Sequence, residues 1–358
     1  MNNVLVLVML ALWVLGFLDS LSGGHLKISK GYFDGVKQIG NMVMLIVGFY
    51  CISVVVATRY LDTITAVSGV LPFDPAVLVT MVLETGMGGL PVAQAIASTP
   101  ELGLFAGTLV ASSIGCLVCF MMPVILSFID GEDLGIIMNG IIPGVLAVPP
   151  TLFIGGLLLS VPLGVLCLNL LPVLFVCALL ILGVSRFPQA TQRGLLFFGR
   201  FMERLAHFAT IIVIIGLFLP EMALVPRDQA LEGLGIALKM TVTLGGGMVL
   251  SEAIIHYFNR SIAALSRQIG INTYSLLGIL LSFMSSLIML PMFKDMDYEG
   301  KLMNGAFSVM GSYVIGAQMA FVAQFTTGST LVIFMGMKVL AGFLGMAMAR
   351  FMFKKHLI

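Results

Sequence analysis

The segment Pro75–Ser98, PAVLVTMVLETGMGGLPVAQAIAS, decides how this chain is read. As a helix it is long enough to cross a membrane, which takes about 20 apolar residues for a hydrocarbon core about 30 Å thick. Yet it carries an acid, Glu84, and soon after it the run Gly86-Met87-Gly88-Gly89-Leu90-Pro91. Each glycine costs about 1 kcal/mol against alanine in a helix interior, and proline removes a backbone hydrogen bond. The spacing therefore predicts a spanning segment broken near its middle. A break frees backbone N–H and C=O groups, which inside a membrane must meet protein, water or a solute.

The rest of the chain agrees with a membrane setting. Of 358 residues, 59% are apolar and 10% are charged, with a mean hydropathy of +1.11. Soluble domains carry roughly 25% charged residues, so a soluble enzyme, a nucleic-acid binder and a disordered chain are excluded. Lys+Arg 18 against Asp+Glu 17 gives a net charge of +1, so no polybasic or polyacidic surface is implied. Apolar runs predict eleven segments: 4–18, 40–58, 75–98, 102–128, 135–160, 162–184, 205–224, 230–257, 271–292, 302–326 and 329–353. The start, MNNVLVLVMLALWVLGFLDS, lacks a basic leader region and a small-residue cleavage site, so it reads as a retained helix.

Self-similarity organises these segments. GGLPVAQAI (88–96) lies over GGMVLSEAI (246–254), and Gly35-x4-Gly40 recurs as Gly194-x4-Gly199. Met122-Pro123 pairs with Leu290-Pro291, and Met138-Asn139-Gly140 with Met303-Asn304-Gly305. The expectation is an all-α polytopic membrane protein. It has a leading helix and loop (1–30), a first five-span repeat (31–184), a connecting loop (185–192) and a second repeat with its tail (193–358). The second repeat would be broken at Gly245-Gly246-Gly247. An odd number of spans per unit inverts the copies across the membrane, a common transporter plan. The basic clusters Lys27/Lys30/Lys37 and Arg186/Arg193/Arg200/Arg204 fall at equivalent places, against the simplest positive-inside pattern, so orientation stays open.

Charged groups inside a bilayer are costly and mark function by default. Glu84 lies ten residues beyond Asp74, about 15 Å along a helix and so near the midplane. Glu252 follows the second glycine cluster. The candidate solute site comprises these carboxylates and the backbone at Gly86, Gly88, Gly89, Gly245, Gly246 and Gly247. Thr85, Gln94, Asn139, Asn304 and Gln318 would supply neutral polar contacts. The structural alternative is that both acids are tied up in pairing, for instance with Lys338 of the last span, which more readily snorkels or pairs than binds solute. Asn139 and Asn304 could equally join two helices, and Thr85 and Thr243 could bond back to their own helices. Glu203-x3-His207 and Glu252-x3-His256 are not HExxH sites, and the triple glycine lacks the Lys-Ser/Thr of a phosphate loop. No metal, cofactor or catalytic constellation is expected, and the five cysteines read as small apolar residues.

The stretches YFDGVKQIGNMVMLIVG (32–48), PFDPAVLVTMVLETGMGGLPVAQAIA (72–97), VPPTLFIGG (148–156), Asn169-Leu170-Leu171-Pro172 and LMNGAFSVMGSYVIGAQMAF (302–321) resemble the EutH-type ethanolamine utilisation transporter family. The resemblance covers about residues 31 to 353. It implies a multi-pass protein of the bacterial inner membrane that carries ethanolamine inward. The implied partner is a small amine; beside it the expected partner is the lipid bilayer, not nucleic acid, and the expected assembly a homo-oligomer, foremost a dimer. Two positions depart from the family pattern. Gly86 stands where an acid precedes Met-Gly-Gly, and Ala317-Gln318 stands where the late span carries Asp-His. If those acids hold the ammonium group, this chain must use Glu84 or Glu252 instead, or bind something else. The expected function is thus a secondary carrier or facilitator for ethanolamine or a similar amine. The alternatives are a permease for another small solute and a non-transporting assembly or sensor subunit.

Overall fold

Backbone polar groups in lipid must be satisfied within the chain, so apolar runs of this length become helices. The computed structural model describes residues 4–59 and 72–355, and among them there is no strand. Helices α1 (Val4–Leu21) and α2 (Ser29–Arg59) precede the short α3 (Pro75–Thr80) and α4 (Gly89–Ile96). Next come α5 (Pro100–Phe128), α6 (Gly131–Leu158), α7 (Leu163–Arg186), α8 (Pro188–Phe218) and α9 (Arg227–Tyr257). The chain continues through α10 (Asn259–Ile269), α11 (Thr273–Ser282), α12 (Ser286–Met289), α13 (Tyr298–Met310), α14 (Ala317–Phe325) and α15 (Gly328–Lys354).

Eight of these, α1, α2, α5 to α9 and α15, are long and apolar enough to cross a membrane. Segment 75–98 is interrupted at the glycine run as expected, as α3/α4, whereas 271–292 and 302–326, expected to be continuous, are also interrupted, as α11/α12 and α13/α14. Apolar side chains such as Phe197, Phe208 and Phe218 on α8 point outward, whereas the middle of α5 is enclosed. The molecule is a multi-pass helical membrane protein.

The second expected break is absent. Helix α9 runs unbroken through Gly245, Gly246 and Gly247. These glycines serve close approach, the usual role of small residues between membrane helices. A Cβ on Gly35 of α2 would lie 2.5 Å from the Cα of Gly245. Gly246 rests on the Met9 carbonyl of α1, and Gly247 on Met284.

The unbroken α9 also removes the offset that placed 88–96 over 246–254. The element order instead recurs 198 residues apart. Helices α2 and α9 are each 31 residues and start at 29 and 227. Asp74 and Asn272 cap the starts of α3 and α11 through their side chains. Thr99 and Asp297 stand at the caps of α5 and α13. Each short cap-opened helix is then interrupted and followed by a longer one.

Candidate functional site

Four formally charged side chains are buried among the described residues: Asp19, Asp74, Glu84 and Lys338. Two have local backbone roles. Asp19 accepts the N–H groups of Leu26, Ile28 and Ser29 in the turn before α2. Asp74 caps α3 at Ala76 and accepts from the amide and hydroxyl of Ser98. Glu84 and Lys338 remain.

Glu84 sits in extended backbone at the interruption between α3 and α4. Its Oε2 accepts the N–H groups of Gly86 at 2.6 Å and Met87 at 3.0 Å. Gly88 then reverses the chain at φ +90°, a conformation that costs glycine little. A Cβ on Gly89 would lie 2.7 Å from the Leu83 and Glu84 carbonyls. The Gly86 and Met87 N–H groups thus hold one carboxylate oxygen, while Gly88 and Gly89 shape the turn around it. Glu84 Oε1 accepts from Gln318 Nε2 at 2.9 Å, and Gln318 Oε1 accepts from Lys338 Nζ at 2.8 Å. A carboxylate only accepts and an ammonium only donates, so the amide has one orientation here. Lys338 also reaches the Ser112 carbonyl at 3.4 Å and lies 5.4 Å from the Phe334 ring centroid. A carboxylate, an amide and an ammonium thus form one buried chain across α14, α15 and the α3/α4 interruption.

A cavity of about 810 Å³ leads to this chain. Glu84, Met87, Cys119, Ser285, Tyr313 and Gln318 are among its buried lining residues, here called its floor. At the rim stand exposed Lys30, Lys37, Arg200 and Glu203, with Asp34 and Glu252 partly exposed. Lys338 does not line the cavity and lies behind Gln318.

Of the residues expected from sequence, the floor brings together Glu84 and Gln318, with Gly86, Gly88 and Gly89 shaping the backbone around the acid. Glu252 is at the rim instead, paired with Lys30 at 3.0 Å. Its pairing is the structural alternative for that residue; for Glu84 the tie to Lys338 runs through Gln318. Thr85 donates to the Gly107 carbonyl and is buried. Gln94 is exposed on α4 and contributes nothing to the cavity lining. Asn139 also lies outside the lining. Asn304 joins α13 to α11 by donating to the Ser275 and Gly300 carbonyls at 2.9 Å. Gly245, Gly246 and Gly247 pack helices, as described above.

Tyr313 and Ser285 are floor residues outside the set expected from sequence. Tyr313 sits at φ +61° in the α13/α14 interruption, where its hydroxyl accepts from Ser286 at 2.8 Å. Its signal in the sequence is Gly311-Ser312-Tyr313-Val314-Ile315-Gly316, a pair of glycines around a polar step. The buried lining offers one carboxylate, two hydroxyls and apolar wall from Met87. That combination suits a small cation bearing a hydroxyl group.

The family model for "Ethanolamine utilisation protein, EutH" matches residues 1–352. The "Probable ethanolamine permease EutH" of Listeria monocytogenes is 29% identical, covering 90% of this chain and 86% of its own length. The "Uncharacterized protein YxeR" of Bacillus subtilis is 25% identical over 90% and 87%. The "Probable ethanolamine permease EutH" of Salmonella typhimurium is 22% identical over 84% and 80%. No solved structure matches. The permease names point to a transporter rather than an enzyme. With a match across nearly its whole length, the chain belongs to the EutH family of ethanolamine utilisation proteins.

Proposed function

We propose that this chain is a secondary carrier or facilitator that takes up ethanolamine, or a small amine like it, across the bacterial inner membrane. The observation that carries this reading is Glu84, a buried carboxylate fixed by backbone N–H groups and by Gln318, on a residue that lines a cavity. Buried ionisable groups at membrane depth are expensive and are retained where they bind or move something. A protonated amine would donate to the Glu84 carboxylate, and its hydroxyl would pair with Tyr313 or Ser285, which line the same cavity. The two methylene groups pack on Met87. The relatives' names supply ethanolamine as the amine.

The moving parts would be the two copies, 29–158 and 227–354, with the interruptions where they meet forming the site. Relative motion of such copies about a fixed central site is the general scheme of repeat-built carriers. Uptake of labelled ethanolamine by the purified protein in liposomes tests the proposal. Glu84→Gln should reduce uptake by at least about tenfold, since a charge-assisted hydrogen bond contributes about 1.5–3 kcal/mol. Wild-type uptake by that variant refutes the carboxylate role. Equal competition by uncharged alcohols refutes the choice of an amine. An assembly subunit predicts neither uptake nor a thermal shift with ethanolamine.

A further inference from the structure

Lys338 has no part in the substrate contacts described above, yet it is among the most deeply buried side chains, with 1% of its surface exposed. Three neutral groups surround its ammonium: the Gln318 amide oxygen, the Ser112 carbonyl and the face of Phe334. The carboxylate of its network is Glu84, one amide away. The Gln318 amide stands between the two charges: its Nε2 donates to Glu84 Oε1 and its Oε1 accepts from Lys338 Nζ. Lys338 is thereby close enough to balance Glu84 without itself lining the cavity.

A carrier built around a carboxylate faces a difficulty on its return step. Once the amine is released, the empty site must pass through its closed state with a bare buried charge, and an uncompensated ion in a low-dielectric interior is costly. Either an inorganic cation or a proton fills the site, or the protein supplies the compensating charge. Resting on the transport reading, we infer that Lys338 is a tethered internal cation that neutralises Glu84 in the empty carrier and replaces a coupling ion. The empty site, Glu84 with Lys338, has zero net charge and reorients without cargo. The loaded site carries the ammonium as one extra charge, while Lys338 stays solvated by its three neutral neighbours. Uptake of the cationic amine is then a uniport driven by membrane potential. One charge gains roughly 2.3 kcal/mol over 100 mV, which sets a limit of about 50-fold accumulation.

The test uses purified protein in liposomes at one pH, with an inside-negative potassium diffusion potential and labelled ethanolamine, after subtraction of protein-free liposomes. Net uptake by the wild type should follow the potential. It should not change when sodium is replaced by N-methylglucamine or when a proton gradient is imposed or removed. Lys338→Gln should lower net uptake by at least about tenfold, because its empty carrier returns with a bare carboxylate. It should retain exchange of internal unlabelled for external labelled ethanolamine, in which the carrier crosses loaded both ways. Lys338→Arg should keep net uptake.

A requirement for sodium or a proton gradient in the wild type overturns the inference without any variant. Net uptake by Lys338→Gln that keeps pace with exchange overturns it too. Loss of exchange and net uptake together in both variants marks a purely structural lysine. Absence of any wild-type uptake is a different result, and it removes the transport reading along with this one.

Discussion

Gln318 is the residue on which the buried charge chain depends, and its replacement by methionine gives a quantitative check. Methionine fills a similar volume but neither donates to Glu84 nor accepts from Lys338. Two charge-assisted hydrogen bonds disappear, at 2.9 and 2.8 Å. Glu84 keeps the Gly86 and Met87 N–H groups, so its loss is moderate. Lys338 keeps only the Ser112 carbonyl at 3.4 Å and the Phe334 face, so the ammonium is the less satisfied of the two. Removing one partner of a buried ionic arrangement costs about 3–5 kcal/mol. Each kcal/mol moves the melting temperature by about 2–4 °C for chains of 150–250 residues. At the lower end of that range, apt for this longer chain, Gln318→Met should melt about 6–10 °C below the wild type. A thiol-reactive dye suits the assay, because Cys51, Cys116, Cys119 and Cys177 are buried and become reactive on unfolding. Adding Lys338→Met to Gln318→Met removes the stranded charge and should raise the melting temperature, although Lys338→Met alone lowers it. Such sign reversal is the mark of direct coupling. The reasoning fails if Gln318→Met melts with the wild type, or if Lys338→Met subtracts the same amount in both backgrounds.

Two further outcomes follow from the geometry. Glu252→Gln removes an ion pair with a Lys30 side chain that is 74% exposed, so stability should fall by no more than about 1 kcal/mol. Uptake should then keep its wild-type KM; a tenfold rise in KM would return Glu252 to the binding site. Gly246→Ala drives a methyl group into the Met9 carbonyl and should destabilise the α1–α9 contact by roughly 1–3 kcal/mol. The protein that remains folded should bind ethanolamine normally, and a selective loss of binding would instead favour a solute role for that glycine.

The membrane setting is legible from composition, and Glu84 from its place directly before a glycine run. Gln318 is legible more faintly, from the glycine at 316. The role of Gly245-Gly246-Gly247 is not, for a physical reason. A glycine run has the same local helix propensity whether the chain breaks there or packs there, and the difference lies in partners such as Gly35 and Met9 that only the fold supplies. Matching letters mislead in the same way. Asn139 and Asn304 share a Met-Asn-Gly triplet, yet Asn304 ties α13 to α11 and its counterpart by element order is Ala106, not Asn139. Equivalent positions can carry different letters and still do the same thing, as when Asp74 and Asn272 both cap a short helix through a side-chain oxygen. Capping geometry persists through substitution because several residue types satisfy the same N–H group.

On the proposed reading of 29–158 and 227–354 as two copies, the spacing of 198 residues accounts for a single carboxylate at the floor among the described residues. The counterpart of Glu84 is Ser282, which is buried at the end of α11, and the counterpart of Gln318 is Phe120 on α5. On that reading the charged pair is not duplicated: the stretch 29–158 gives the acid, and 227–354 the amide and the lysine. Two carboxylates at the crossing would repel one another and need two compensating cations in a low-dielectric interior. A single acid bonded across the boundary avoids that, and it fixes where the copies touch. Within the second copy, the Tyr313 and Ile315 N–H groups donate to the Ser282 and Phe283 carbonyls, so its two interruptions are held as one piece. In the first copy, Gly115 of α5 packs directly on the Thr80 and Leu83 carbonyls, which serves the same end by contact. Each copy thus has a braced centre, with Glu84 and Gln318 bonded between them. On the transport reading, rotation about that bond changes which rim is open while leaving unchanged the group that holds the amine.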